Sequence, residues 1–183
     1  NMLKSLSPSG LQKPVTAEVC PHAASWAQSK LNFQPSAKQA EVLNTDAKYL
    51  ILCCNRQWGK TTTIAIKALH HALHHPDQTI VILSRTKPQA SILINRASVF
   101  TQRLGIRIRR VMGFPLSVQL PNGSNIIAVA HNGDTSVGNT AKLLIVDEAA
   151  SVKDHVFSAV SAFIAQTHGH MWLLSTPLRQ NGF

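Results

Sequence analysis

The chain has 183 residues, long enough for one domain with a real core and too short for two full ones. Lysine and arginine number 18 against 8 acidic residues, a net charge of +10 that suits a polyanionic partner such as nucleic acid. No carboxylate follows Asp154, and Asp147 with Glu148 is the only adjacent acidic pair, whereas two-metal cleavage of nucleic acid wants several clustered carboxylates, so the segment is not expected to cut nucleic acid by itself. Cys20, Cys53 and Cys54 are an odd count suited to reduced thiols in a cytosolic setting. No apolar run approaches the ~20 residues of a membrane span, and no signal peptide is evident, so a soluble, intracellular protein is expected. The chain starts at Asn1 and stops at Phe183 just after an expected strand, and both ends read as cut.

In chain order, residues 1–20 are rich in Ser, Pro and Lys without periodicity and read as a mobile lead-in. Residues 22–30 suit a short helix. The expected division is therefore a partly flexible lead-in over residues 1–30 and one domain over 31–183. Phe33-Gln34-Pro35, followed by Gln39, can form an adenine clamp ahead of a phosphate loop, the ring stacking and the amides bonding the base edge. The same residues also suit a plain helix start, with Pro35 in the first turn and Phe33 as a core anchor.

The apolar run Tyr49-Leu50-Ile51-Leu52-Cys53-Cys54 reads as a buried strand, and Asn55-Arg56-Gln57-Trp58-Gly59-Lys60-Thr61-Thr62 stands directly behind it. Helix-prone residues 64–69 follow. Strand, loop ending in Gly-Lys-Thr, then helix is the order of a phosphate-binding P-loop. Backbone N–H groups of residues 55–62 face a polyanion, Lys60 reaches its terminal phosphates, and the Thr61 hydroxyl can hold Mg²⁺. The usual pattern opens with a glycine where this chain has Cys54.

Past that helix, His70-His71-Ala72-Leu73-His74-His75 contains two i, i+4 pairs that could bind zinc, but no third ligand lies nearby apart from Asp77, so a polar helix end is expected. Residues 79–84 read as a second buried strand and residues 88–103 as a helix. Between them, Arg85, Thr86 and Lys87 could touch phosphates. Residues 106–110 alternate apolar and basic, as an edge strand with a cationic face would, suited to nucleic-acid contact or to charge protection of the edge. Residues 117–120 and 125–130 make a hairpin around Pro121-Asn122-Gly123-Ser124, and residues 131–140 read as a functional loop.

Leu143-Leu144-Ile145-Val146 then delivers Asp147-Glu148, as a buried parallel strand carrying two carboxylates at its C-terminal end. A Mg²⁺-dependent phosphoanhydride hydrolase needs this pair: Asp147 to hold the metal and Glu148 to orient and deprotonate the attacking water. Residues 156–166 suit a helix. Residues 171–174 suit a last strand ending in Ser175-Thr176-Pro177, whose hydroxyls could sense the γ-phosphate and pass the change on.

Taken together, these residues resemble the ATPase domain of the large terminase subunit, the motor that packages DNA into tailed-phage heads, over about residues 33–183. Phe33-Gln34-Pro35 with Gln39 is similar to the family's adenine motif. The run from Arg56 to Thr61 is similar to its variant Walker A, which carries Arg-Gln in the loop and does not require the first glycine. Residues 143–148 resemble Walker B with the catalytic Glu, Ala149-Ala150 continue the DEAA pattern, and Ser175-Thr176-Pro177 with Gly182-Phe183 resemble the coupling motif.

The resemblance implies a three-layer α/β P-loop NTPase fold (ASCE/RecA-like) with a mainly parallel central sheet. It implies an ATP- and Mg²⁺-dependent ATPase in which Glu148 and Lys60 are catalytic, and Arg56 or a neighbouring subunit's Arg stabilises γ-phosphate charge. Double-stranded DNA, a homo-oligomeric ring, a portal and a small terminase subunit are the implied partners, in the cytoplasm of a bacterial host. The family's RNase H-like nuclease domain is absent from this sequence. Many relatives also carry an Arg in a Thr-x-Arg-Gly stretch where this chain has Thr135-Ser136-Val137-Gly138. Two alternatives stand beside this reading: a helicase-like DNA-dependent ATPase, which shares the two Walker motifs, and a non-hydrolysing prophage remnant that binds DNA or a partner.

Overall fold

A computed structural model describes residues 22–111, 113, 115–130 and 140–176. Within them the apolar runs form one seven-stranded sheet: β1 (Tyr49–Cys53), β2 (Thr79–Ser84), β3 (Arg109–Val111), β4 (Leu116–Gln119), β5 (Asn125–Ala130), β6 (Leu143–Asp147) and β7 (His170–Ser175), in spatial order β1-β7-β6-β2-β5-β4-β3. The pairs from β1 to β5 in that order are parallel, and β4 and β3 join antiparallel. Parallel neighbours require crossovers, usually helical. Helices α3 (Lys60–His74), α4 (Lys87–Arg103) and α5 (Asp154–Ala165) follow β1, β2 and β6, and α1 (Ala23–Leu31) and α2 (Ala37–Asn44) precede β1.

Helices lie on both faces, the three-layer, mainly parallel arrangement anticipated above. Ile80, Ile82, Ile126, Ile145 and Trp172 face α1 to α4, while Val81, Leu83, Leu144 and Val146 face α5. Strands covered on both sides carry uninterrupted apolar runs, which is why β2 and β6 were legible from their letters. No described helix is long and apolar enough to cross a membrane.

Several expectations need correcting. The run at 49–54 is not a buried strand: β1 lies at the end of the sheet, where among the described residues no helix covers its outer face, leaving Tyr49 67% and Ile51 71% exposed. Cys53 on the same strand is exposed, and Cys54 just beyond it is buried. The edge strand expected at 106–110 is confined to β3, because Ile106 and Ile108 turn inward and pack against the core. Helix α2 starts after Pro35, not around it. Its N-cap is Ser36, whose hydroxyl accepts the Gln39 N–H while the Gln39 side chain accepts the Ser36 N–H at 2.8 Å. This is a capping box, and its Ser-x-x-Gln signature was present in the sequence.

Lys67, 7% exposed, sits among α2, α3 and β7. Its ammonium donates to Leu43 O and Thr45 O, both at 2.8 Å, and lies 5.2 Å above the Trp172 ring. A cation at the carbonyl end of a helix is favourably placed against the macrodipole. Ala27 and Leu31 bury α1 in the same core.

The histidine run is the end of α3, though not a wholly polar one. His70 is 5% exposed and packs edge-on against Trp26 at 5.3 Å. The i, i+4 pairs do meet, tilted at 4.2 Å for His70 with His74 and stacked at 4.3 Å for His71 with His75, but among the described residues no three potential ligands group as a metal site needs. Burial holds His71 down to about 4, despite the hydrogen bond of Nε2 to Gln78 Oε1 at 2.8 Å. Its folded value lies below the unfolded one, so its contribution to stability is complete above the unfolded value and is lost as pH falls toward 4, up to about 3 kcal/mol. His71→Gln should therefore lose less stability than the unmodified chain between pH 7 and pH 4.5 in urea melts. Equal losses would mean that His71 is not what acid attacks.

Candidate active site

β1 feeds the loop directly. The parallel ladder continues one bond past the strand, with Cys54 N–H donating to Ser175 O at 3.1 Å, which sets the end of β7 beside the start of the loop. Trp58 then closes the turn: its N–H donates to Asn55 O at 3.4 Å, and its own carbonyl accepts from Gln39 Nε2 at 2.8 Å. Gly59 caps α3 at φ +87°, which favours glycine, and a Cβ there would stand 2.7 Å from Gln39 Nε2 and displace that amide from its bond to Trp58 O. Cys54 is not among the described residues with positive φ. The loop thus needs no glycine where the usual pattern begins.

Thr62 and Thr63 N–H groups both donate to Gly59 O at 3.0 Å. The earlier N–H groups of α3 belong to the unpaired start of a helix, where the macrodipole favours an anion. Lys60 is the first residue of this helix and extends its side chain toward the end of β6.

There it meets both acidic residues. Its ammonium lies 2.7 Å from Glu148 Oε1 and 3.1 Å from Asp147 Oδ1, with side-chain exposures of 12% for Lys60, 13% for Asp147 and 25% for Glu148. Glu148 is 88 positions from Lys60. The chain turns sharply after β6, because Glu148 adopts φ +56°, a left-handed conformation uncommon for a side-chain-bearing residue, and its N–H donates to Asp147 Oδ1 at 3.1 Å. Thr176, just past β7, joins the cluster: its hydroxyl donates to Glu148 Oε1 at 3.4 Å and accepts from Lys60 Nζ at 3.5 Å.

Burial pulls the Lys60 ammonium downward, but its hydrogen bond to Glu148 and the nearby Asp147 outweigh this and hold it above the usual lysine range. Lys60 is therefore a cation at any working pH. Burial pushes Asp147 above the usual carboxylate range, against the pull of Lys60. Burial likewise raises Cys54, with Lys60 opposing, so Cys54 stays a thiol at neutral pH.

A hollow of about 360 Å³ lies over the cluster, lined by residues 55–62, Glu148 and Thr176, and also by Ile92 and Arg96 of α4. An adjoining hollow of about 520 Å³ shares Thr62, Ile92 and Arg96, and includes Phe33. Asn55, Arg56, Gln57, Trp58, Gly59, Lys60, Thr61, Thr62, Glu148 and Thr176 are thus brought together, with Asp147 behind Lys60 and Phe33 alongside. Gln34 and Gln39 line neither hollow. The Gln34 side chain accepts from Gln28 Nε2 at 2.8 Å, and both ends of the Gln39 amide are engaged within the fold. Ser175 holds the loop through its carbonyl, while Pro177, Val137 and the rest of 131–139 lie outside the described residues.

The contribution of α4 was missed from sequence, since nothing in residues 88–103 says which face turns toward the loop. A third hollow, of about 450 Å³, lies at the opposite ends of the strands among Lys67, His71, His75 and Lys142, away from this chemistry.

The family described as terminase large subunit, T4likevirus-type, N-terminal, matches residues 52–182. The large terminase subunits of Thermus phage G20c and Thermus virus P23-45 are each 24% identical to the chain, in matches taking in 84% of it and 36% of their own length. The chain thus spans about a third of these curated relatives. Among solved structures, the ATPase domain of the Thermus phage P74-26 large terminase superposes with a TM-score of 0.75 at 22% identity, over 88% of this chain and 72% of that one. The large terminase of a thermophilic bacteriophage, in complex with ATP-gamma-S, superposes with a TM-score of 0.63 at 15% identity, over 76% and 37%. These structural likenesses establish a shared fold, and the family match, which covers most of the sequence, establishes kinship: the chain belongs to the terminase large subunit family, as its N-terminal part.

Proposed function

We propose that this chain is the ATP-hydrolysing motor domain of a terminase large subunit, coupling hydrolysis to the packaging of double-stranded DNA into a procapsid in the host cytoplasm. The observation that carries the reading is the meeting of Lys60, Asp147, Glu148 and Thr176 beneath a loop whose helix starts at Lys60. Three segments far apart in sequence converge on one cation at a helix N-terminus, the place where a polyphosphate is best held. The large terminase of the thermophilic bacteriophage was crystallised with an ATP analogue, which supports the choice of nucleotide.

In this reading the N–H groups of residues 55–62 and the Lys60 ammonium take the phosphates. Thr61 and Asp147 offer a hydroxyl and a carboxylate, the oxygen donors a hard cation prefers. They would hold Mg²⁺, which supplies charge neutralisation on the phosphates when bound. As Lys60 turns from the carboxylates toward phosphate, Glu148 is freed to take a proton from the attacking water. Arg56, exposed on the loop, or an arginine of a neighbouring subunit offsets charge on the γ-phosphate. Thr176 touches Glu148 directly, so the state of that carboxylate reaches β7 and the segment Ser175-Thr176-Pro177, the proposed coupling element. Phe33 stands where a base could stack, with Gln34 free to reorganise. Gln39 is better placed to brace the loop through Trp58 O than to read a base.

Exposed cations on the surface, Arg109 and Arg110 among them, suit phosphate contacts to DNA, and a ring of subunits with portal and small subunit would complete the machine. The same proposal takes residues 31–183 as one domain and adds α1 to it, since Trp26, Ala27 and Leu31 pack into its core, which leaves the lead-in short of residue 23. Steady-state ATP hydrolysis with Mg²⁺, measured with and without duplex DNA, tests the reading. Turnover stimulated by DNA, with the stimulation lost as salt rises, is the expected result. No turnover despite intact ATP binding would point either to the remnant reading or to a motor domain that needs its neighbours in a ring.

A further inference from the structure

Helix α4 carries a stripe that the reading above does not use. Ile92, Arg96, Val99 and Arg103 are spaced to share one helix face, and that face lines the hollow next to the phosphate loop together with Phe33 and Thr62. Ile92 is 51% and Val99 45% exposed, so two large apolar side chains are left in water on the same face as two cations. The Arg96 guanidinium donates to the Thr62 hydroxyl on the first turn of α3. Among the residues lining the two hollows, Glu148 is the one carboxylate.

We propose that this stripe is the second wall of the nucleotide site, with Arg96 contacting the α-phosphate and Val99, which lines the same hollow as Phe33, forming the apolar bed for the base. The two hollows share Thr62, Ile92 and Arg96 in their linings, so a ligand with its triphosphate in the first would place its sugar and base in the second. Arg96 stands at the seam, beside the first turn of α3, where the phosphate nearest the sugar must lie. Apolar side chains flanked by guanidinium groups complement a purine nucleotide, flat and apolar at one end and anionic at the other. Contact with Arg96 also fastens α4 to whatever Thr62 holds, which makes α4 a reporter of occupancy. The assignment rests on ATP being the ligand of the loop.

Titration calorimetry on the full chain, with Mg-ATP, Mg-ADP and inorganic tripolyphosphate, separates the ideas. Arg96→Ala should weaken ATP and ADP by the same factor, about tenfold, as loss of a hydrogen bond to a charged group predicts. Val99→Trp, which fills the hollow without changing charge, should weaken both nucleotides about tenfold and leave tripolyphosphate within about twofold. Val99→Gln, a milder variant kept in case the tryptophan disturbs folding, should weaken ATP about fivefold. Wild-type ATP affinity in both Val99 variants would overturn the wall, and if self-association in sedimentation fell with it, the stripe would be reassigned to a second copy. A loss in Arg96→Ala confined to ATP would move Arg96 to the γ-phosphate and overturn the assignment. Should the unmodified chain bind neither nucleotide, or Lys60→Ala bind ATP as well as it does, the ATP reading fails and this inference falls with it. Retained Lys60-dependent binding with unaffected Val99 variants sinks the inference alone.

Discussion

Replacing Lys60 with alanine is expected to abolish ATP binding, with affinity falling at least about a hundredfold. Two effects act in the same direction. The first is loss of the ammonium at the helix start: a hydrogen bond to a charged group contributes about 1.5–3 kcal/mol, and each 1.4 kcal/mol is a factor of ten. The second is what remains. Asp147 and Glu148, which Lys60 touches at 3.1 and 2.7 Å, would be left to face the incoming polyanion uncompensated, so attraction becomes repulsion. Calorimetric titration with Mg-ATP measures this, and affinity within about threefold of the unmodified chain would remove Lys60 from the phosphate site. The variant should also melt earlier, because two mostly buried carboxylates lose their shared cation. A melting curve taken alongside separates lost binding from lost fold.

Glu148→Gln should behave in the opposite way, keeping ATP and losing turnover. Glutamine matches glutamate in shape, its carbonyl oxygen can still accept from Lys60 and Thr176, and the left-handed backbone at 148 suits neither residue better than the other. It cannot accept a proton from water, and general-base catalysis typically contributes 10²–10⁴-fold. We expect ATP affinity within about threefold and a hydrolysis rate lowered about a thousandfold, measured by steady-state phosphate release. If both Lys60→Ala and Glu148→Gln lose binding equally, the division of roles between them is wrong. Undiminished turnover in Glu148→Gln would exclude Glu148 as the base.

The cluster also gives the coupling idea physical content. Thr176 reaches Glu148 from the strand next to β6, and the neighbouring Ser175 carbonyl holds the first residue of the loop. The loop, Glu148 and the proposed coupling segment are thus joined by two hydrogen bonds, so under the proposed mechanism a shift of Glu148 would have a direct route to β7. Gln39 adds a brace on the other side, tying the start of α2 to Trp58.

The order of most elements and the two motifs themselves were legible in the sequence, because both are written in local spacing. An uninterrupted apolar run marks a strand covered on both faces, as in β2 and β6. Gly-Lys-Thr after an apolar run marks a helix start, whereas the Ser36–Gln39 cap, equally local, went unread because Gln39 was assigned to a base clamp. These patterns depend on residues within one turn or one strand of each other.

Only the tertiary structure decided which segments meet. That Lys60 meets residues 88 and 116 positions away follows from β7 pairing with β1 and β6 with β7, and strand order depends on which faces the helices cover, not on any strand's own letters. For the same reason β1, as apolar as β2, proved to be an edge with Tyr49 and Ile51 in water. Arg96 and Ile92 entered the site because α4 packs beside α3, and His70 is buried where Trp26 of α1 packs edge-on against it. Periodicity tells which side of a helix is apolar. It does not tell what that side will touch, since burial is a property of the assembled layers.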